Sequence, residues 1–370
     1  MNEDRRALFE KIKTELVSKP KVYSLQLDVF EATNTVYVID VSQQPGAHYR
    51  GIFVHLIERL ELQGLRKDHM ILPVNPDTTI LVEPTTGNGG EDFILAATKA
   101  GYEAWVVMPD GLPESRYRPM TALGGRVVRT PAKEYAEGMR QGLVRLLSEN
   151  EVRLARRKKI FASPNHCAPE ASASTTKLMG KLIDSAHQKI NAPVDFLVLA
   201  MGNGSSVYGP GKQAKTIWPE TKVLAVESLA SGLAFEKMYP GTYKDRFGID
   251  PAHALLLEQF KLYGTNAPLG VRLPAQERAI QERVVDELVL VSDDNVCAAY
   301  NKLPKVSTEN RRAVSQLVRW DETQKILVAK NYPFGNSSAA CIGVALRELK
   351  GKQGKTALCM VYDRLDKYTD

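Results

Sequence analysis

Two short runs of glycine and hydroxyl residues hold the side chains whose chemistry can be read most directly. In Glu83-Pro84-Thr85-Thr86-Gly87-Asn88-Gly89-Gly90, the β-branched run Thr79-Ile80-Leu81-Val82 breaks into hydroxyls and glycines just before a helical pattern with Phe93, Ile94, Ala96 and Ala97. A strand that ends this way exposes backbone N–H groups at the positive end of a helix dipole, a site for a carboxylate or phosphate with Asn88 at its lip. A purely structural tight turn is the alternative. The second run, Gly202-Asn203-Gly204-Ser205-Ser206, follows the apolar segment Phe196 to Met201 and leads to Gly209 and Gly211. Its glycines let a backbone approach anion oxygens closely, and its serines can donate as well. A lone G-x-G is weak evidence, and the dinucleotide fingerprint fits poorly because no glycine stands three residues after Gly204.

Other side chains add candidates. His48 and Tyr49, in Gln44-Pro45-Gly46-Ala47-His48-Tyr49-Arg50-Gly51, are acid and base candidates. Arg364 is permanently cationic with five donors, suited to clamping a carboxylate or phosphate unless it turns to solvent. His166 precedes Cys167, but chain neighbours rarely point at one another, so the pair is not read as a thiol nucleophile with its base. There is no H-E-x-x-H and no carboxylate cluster with metal spacing. Cys167, Cys297, Cys341 and Cys359 are far apart without a C-x-x-C pair. No metal is expected, and the thiols read as reduced groups of a cytoplasmic protein.

The elements that must position these groups alternate along the chain. Val36-Tyr37-Val38-Ile39, the run at 79–82, Ala104-Trp105-Val106-Val107, Gly125-Arg126-Val127-Val128, Phe196-Leu197-Val198-Leu199, Val223-Leu224-Ala225-Val226 and Leu358-Cys359-Met360-Val361 read as buried strands. Helical patterns lie between them, such as residues 52–64 with Ile52, Phe53, Leu56, Ile57 and Leu60 on one face. This order predicts an α/β fold of two three-layer domains with mostly parallel sheets, where ligands gather at the carboxyl ends of strands. The 370 residues, 44% hydrophobic, suffice for two such domains. Residues 1–20 are charged from the start and carry a helical stripe with no long apolar run, so neither a signal peptide nor a membrane anchor is expected there. The formal charge of +6 suits an anionic small molecule but is too mild for nucleic acid. The basic run Arg153, Arg156, Arg157, Lys158, Lys159 has no interleaved aromatics and reads as a solvated helix end or an interdomain linker.

Taken together the motifs resemble the cysteine synthase and cystathionine β-synthase family, pyridoxal phosphate enzymes of fold type II related to the tryptophan synthase β chain. Residues 83–90 resemble its E-T-S-S-G-N-T-G loop, which holds the substrate carboxylate. The similarity continues through residues 104–109, Arg116 and residues 122–125. Residues 202–206 resemble its phosphate loop, G-T-G-G-T, with Ser205 in place of a glycine. Gly335-Asn336-Ser337-Ser338-Ala339-Ala340 resembles G-I-S-S-G-A-A, and residues 362–368 resemble P-D-S-G-E-R-Y, with Arg364 at the serine that contacts the pyridine nitrogen. The segment from Pro45 resembles N-P-x-G-S-x-K-D-R and places Tyr49 at the cofactor lysine. With one gap, Arg50-Gly51 resembles instead the dehydratase pattern S-F-K-x-R-G, which places His48 at the lysine position. Neither a phenol nor an imidazole forms a Schiff base with an aldehyde.

The resemblance implies a large domain of residues 1–40 plus 166–370, a smaller one of residues 41–165, and a ligand cleft between them. It implies a divergent member lacking the cofactor lysine, whose ligand contacts would be Thr85, Thr86, Gly87, Asn88, Gly89, Gly90, Gly202, Asn203, Gly204, Ser205, Ser206, Ser337 and Arg364. The first functional expectation is a repurposed site for an amino acid or phosphorylated metabolite, in which pyridoxal phosphate, if bound, forms no Schiff base at the usual position. The second is a β-replacement or β-elimination enzyme acting on O-activated serine or cysteine through a displaced lysine, for which Lys244 in Pro240-Gly241-Thr242-Tyr243-Lys244-Asp245-Arg246 is the candidate. The third is a non-catalytic partner of an active homologue. A homodimer is expected, with no membrane or nucleic-acid partner.

Overall fold

A computed structural model describes residues 1–25, 33–67, 69–229, 231–248, 273–292, 319–321, 326–328, 334–364 and 367. Cys297 lies outside the described residues, as do residues 365, 366 and 368 of the segment after Arg364. The chain divides into two units, Met1–Ser18 with Gln44–Thr175, and Lys19–Gln43 with Thr176–Asp370. The first helix, α1 (Glu3–Glu15), therefore belongs to the smaller unit, not to the larger one expected from the sequence. The cause is local packing. Arg5 pairs with Glu61 and Lys13 with Glu58 of α2 (Ile52–Gln63), and a Cβ on Gly51 would meet the Leu16 carbonyl oxygen at 2.6 Å.

All seven strands read from the sequence form. In chain order the strands are β1 (Lys21–Leu25), β2 (Thr35–Asp40), β3 (Leu65–Lys67), β4 (Met70–Leu72), β5 (Thr79–Pro84), β6 (Glu103–Pro109), β7 (Arg126–Thr130), β8 (Ile160–Ala162), β9 (Phe196–Ala200), β10 (Lys222–Ser228), β11 (Glu287–Val291), β12 (Arg319–Asp321), β13 (Ile326–Val328) and β14 (Thr356–Val361). The smaller unit holds a four-stranded sheet in the order β7-β6-β5-β8, parallel throughout. Helices cover both faces of such a sheet, so its central strands are apolar without alternation. Ile80, Val82, Val107 and Phe161 pack on one face against Met139 and Leu146 of α5 (Tyr135–Ser148). Strand β8 was missed because three residues between helices carry too little pattern. It also places the basic run inside this unit, so that run is not an interdomain linker. Arg153 packs its guanidinium over Phe161, 4.3 Å from the ring centroid, and Lys159 donates to the Pro76 carbonyl at 2.7 Å.

Helix α3 (Asn88–Lys99) starts within the 85–90 loop and fixes the segment before α2 through two buried acids. Glu91 accepts the Gly46 N–H at 3.0 Å, and Asp92 accepts those of Gly51, Ile52 and Phe53 at 2.8, 3.0 and 2.9 Å. The first-turn donors of a helix have no partner within it, so Asp92 acts as a cap supplied from a neighbouring helix. Gly46 has a φ of 84°, and a Cβ there would meet the Asp92 Cβ at 2.7 Å, so the approach admits only glycine.

The larger unit holds a six-stranded sheet in the order β1-β2-β14-β9-β10-β11, parallel except where β1 turns back antiparallel on β2. Loops at the carboxyl ends of β9 and β14 lead to the 202–206 run and to Arg364. Among the described residues no helix is long and apolar enough to cross a membrane.

Burial raises the Asp92 carboxyl from 3.8 to about 6, against the lowering by its backbone donors. A carboxyl raised on folding binds its proton more tightly in the folded state, so its contribution to stability is fullest below pH 4 and is lost as pH rises through 6. Asp92→Asn replaces one acceptor oxygen with a donor facing backbone N–H groups and should cost about 1–3 kcal/mol. Urea unfolding between pH 4 and 6 should also show a smaller fall in stability than wild type, measured by far-UV circular dichroism.

Candidate functional site

In the smaller unit the 85–90 loop is organised around the Thr85 hydroxyl. The Thr85 N–H donates to the Val107 carbonyl at 3.0 Å, which anchors the loop to the sheet. Its Oγ1 then accepts the Gly87 N–H at 3.1 Å and the Gly90 N–H at 2.9 Å, gathering the first turn of α3 around one oxygen. A Cβ on Gly90 would meet the Thr85 Cγ2 at 2.4 Å, so only glycine closes this turn. Arg116, on α4 (Glu114–Ala122), is 4% exposed, and a Cβ on Gly87 would meet its Nη1 at 2.6 Å. A guanidinium keeps its proton at any ordinary pH, so the loop is flanked by a buried fixed positive charge. Thr85, Gly87, Asn88 and Gly90 are buried, and Thr86 and Gly89 half-buried.

Tyr49 and His48 lie beside this loop. A Cβ on Gly89 would sit 3.7 Å from the Tyr49 ring, and Tyr49 contacts the His48 ring at a centroid distance of 4.5 Å. The same Tyr49 ring meets His166 edge-on at 5.6 Å, and Phe53 lies 5.6 Å from His166 on another side.

His166 and Cys167 do point at one another, against the expectation from their adjacency. Asn165 takes the left-handed conformation, φ 44°, and the Ala168 N–H closes a turn onto its carbonyl at 3.0 Å. The turn brings Cys167 Sγ to 3.3 Å from His166 Nε2. On the other side of the ring Nδ1 lies 2.6 Å from Glu83 Oε1, which also accepts the His166 N–H at 3.0 Å. Glu83 Oε2 accepts the Ser163 hydroxyl at 2.8 Å and the Asn165 N–H at 3.1 Å. A carboxylate in this position holds the proton on Nδ1 and leaves Nε2 facing the thiol. Burial pulls the His166 imidazole down, but the thiol of Cys167, the Glu83 carboxylate and Tyr49 outweigh it and raise it well above its usual value of 6.5. Glu83 stands within the first loop motif, but nothing in its spacing to residue 166 marks it as a partner of a histidine.

In the larger unit the 202–206 run ends β9 and opens α8 (Ser205–Ile217). The Ser205 N–H donates to Asn203 Oδ1 at 3.0 Å and the Ser206 hydroxyl to the Ala200 carbonyl at 2.8 Å, so loop groups shape the turn as well as facing outward. Gly204 has a φ of 92°, and a Cβ there would meet the Gln276 backbone nitrogen at 2.2 Å. Gln276, on α11 (Pro274–Gln281), donates from Nε2 to the Gly202 carbonyl at 3.0 Å and accepts from Lys237 Nζ at 3.0 Å. Neither was found from the sequence, since no motif links them to the loop. Burial lowers the Lys237 ammonium, opposed by Glu277 and Glu227. Lys244, by contrast, lies exposed on α10 (Thr242–Phe247).

Ser337 lies in the first turn of α12 (Asn336–Leu349) and is half-buried. The next residue, Ser338, accepts the Tyr362 N–H at 3.0 Å, and Tyr362 in turn accepts the Ala200 N–H at 2.8 Å. Arg364 follows, half-buried, in the loop after β14. Among the described residues no group of three or more His, Cys, Asp or Glu could hold a metal ion.

The fold and the two loops can be set beside known proteins. A probable cysteine synthase of Bacillus subtilis is 26% identical over 290 residues, 78% of this chain and 76% of its own length. A cysteine synthase of a Flavobacterium is 26% identical over 201 residues, 54% of this chain and 59% of its own length. The crystal structure of an O-acetylserine dependent cystathionine beta-synthase from Helicobacter pylori superposes with a TM-score of 0.65 at 19% identity, covering 96% of each chain. The family model for pyridoxal-phosphate dependent enzymes matches residues 33–305, a span that includes both glycine and hydroxyl loops and the whole four-stranded sheet of the smaller unit. By that match this chain belongs to the pyridoxal-phosphate dependent enzyme family.

Proposed function

We propose that this cysteine synthase-like chain binds an anionic small molecule, an amino acid or a phosphorylated metabolite, and forms no pyridoxal phosphate Schiff base at residue 49. The observation that carries the reading is the buried Arg116 guanidinium packed on Gly87, where a helix opens around the Thr85 hydroxyl. A helix N-terminus and a fixed cation at one loop favour a carboxylate or phosphate. The 202–206 loop supplies a second helix N-terminus, on α8, of the kind a phosphate takes.

The residues present fit the phosphate of pyridoxal phosphate and not its covalent attachment at this position. Tyr49 carries a phenol, and its ring is packed among His48, Phe53 and His166. The group would supply an electron sink for carbanion chemistry if bound. This chain's own part is to hold an anion at either loop by itself, residues 85–90 in the smaller unit or 202–206 in the larger. Arg364 would add a charged donor where the family resemblance expects a serine.

A second reading, β-replacement or β-elimination through a displaced lysine, is favoured by one observation. Lys237 is half-buried, has a lowered affinity for its proton and reaches the Gly202 loop through Gln276. A lysine of that kind is a better amine nucleophile than an exposed one such as Lys244.

Absorbance spectra with added pyridoxal phosphate, followed by borohydride reduction and intact mass, separate the two. The proposal expects neither a visible aldimine band nor a mass increase. A reduced adduct would overturn it, and an adduct mapped to Lys237 would establish the second reading. Thermal unfolding with O-phospho-L-serine or inorganic phosphate tests the anion site directly. Saturation at a hundred times Kd should stabilise the protein by about 2.7 kcal/mol, and Thr85→Val should abolish the part of the shift that requires the amino-acid carboxylate.

A further inference from the structure

We propose that Glu83, His166 and Cys167 form a nucleophilic thiol centre that takes a small electrophile carrying an anionic group.

The geometry is that of a base between a nucleophile and an orienting carboxylate. Glu83 Oε1 is 2.6 Å from Nδ1, and Sγ is 3.3 Å from Nε2. Four donors fix the Glu83 carboxylate: the Ser163 hydroxyl, the N–H groups of Asn165 and His166, and the imidazole itself. Those bonds explain the shape of the 163–167 loop without any contact from the thiol, so the approach of Sγ to Nε2 is an additional feature. The titratable groups facing His166 are Glu83, Cys167 and Tyr49, with His48 behind Tyr49, and Phe53 supplies an apolar wall. Cys167 lies two residues before α7 (Pro169–His187), whose N-terminal dipole favours a negative sulfur. Cys167 is half-buried, while Cys341 and Cys359 are fully buried.

The anionic group in the assignment rests on the function proposed above. Glu83 directly precedes the Pro84 and Thr85 positions of the loop, and the Tyr49 ring, 3.7 Å from where a Cβ on Gly89 would sit, meets His166 edge-on. An electrophile held by its anionic end at residues 85–90 would lie in the same unit as the thiol. The thiol proton already rests on Nε2, and in the step itself the sulfur pair attacks an electrophilic carbon. One S–C bond forms, the bond to the leaving group breaks, and that group departs with its electron pair. The imidazolium is balanced by Glu83, and nothing is oxidised or reduced.

Iodoacetamide and iodoacetate test this on the full chain, with iodide as leaving group and peptide mapping to assign the modified cysteine. The reference is glutathione, and Cys167→Ser is the control for the site. Below its usual value near 8.5 a free thiol reacts about tenfold more slowly for each pH unit lost. Cys167 should instead react with iodoacetamide at nearly constant rate from pH 8 to 6 and exceed glutathione at pH 6 by about tenfold or more. His166→Asn and Glu83→Gln should restore the ordinary slope with the far-UV spectrum unchanged. The wild-type profile alone keeps the test decisive if either variant fails to fold. A glutathione-like rate and slope at Cys167 would overturn the proposal. The ratio of iodoacetate to iodoacetamide rates should exceed that of glutathione and fall in Thr85→Val. A ratio equal to that of glutathione, with the fast and flat iodoacetamide profile retained, would overturn the assigned anionic class and count against the anion-binding function. It would leave the thiol centre itself supported.

Discussion

A carboxylate taken out of water must find donors, and Glu83 meets that constraint in a way that shapes the surrounding unit. It stands near the carboxyl end of β5, fully buried, with both oxygens engaged. An ion left without partners at this depth would cost several kcal/mol, so the 163–167 loop folds over it with a hydroxyl, two backbone N–H groups and an imidazole. The position of His166 follows from that requirement, and the position of Cys167 follows from the turn at Asn165. The parallel sheet contributes the rest. It brings the end of β5 beside that of β8, so residues 83 and 163, eighty apart in the chain, become neighbours.

The same device recurs in both units. Glu91 and Asp92 hold residues 46–53 through backbone N–H groups. In the larger unit Glu227, at the end of β10, accepts the Ser231 hydroxyl at 3.0 Å and the N–H groups of Ala234 and Phe235 at 3.0 and 2.9 Å, capping α9 (Leu233–Met238). Burial raises its carboxyl to about 6, as it does that of Asp92. Acids used as caps from outside a helix align loops through backbone N–H groups.

Much of the fold was legible in the sequence because its strands are buried on both faces and read as apolar runs. The loops after β5 and β9 were legible because glycine and hydroxyl clusters between a strand and a helix have few other uses. Residues 21–25, 160–162 and 287–291 were not read as strands, being an edge strand and runs too short or too isolated to show a period. The grouping of α1 was missed because it depends on tertiary pairs such as Arg5 with Glu61, which no local pattern shows. The contact between Cys167 and His166 was missed for a different reason. The sequence shows that the two are adjacent, and adjacency disfavours contact in helices and strands, but it does not show the left-handed φ of Asn165 that overrides the rule. Lys237 and Gln276 reach the second loop through the packing of α9 and α11, again beyond local spacing.

Nitrogen-15 NMR of His166 in the intact protein, followed from pH 5 to 9, tests the central claim most directly. If the buried Glu83 carboxylate organises this unit and holds the imidazole against the thiol, Nδ1 stays protonated throughout, and Nε2 keeps its proton well above the ordinary histidine value of about 6.5. An imidazole that loses its proton near 6.5, or a neutral ring protonated on Nε2, would contradict the account.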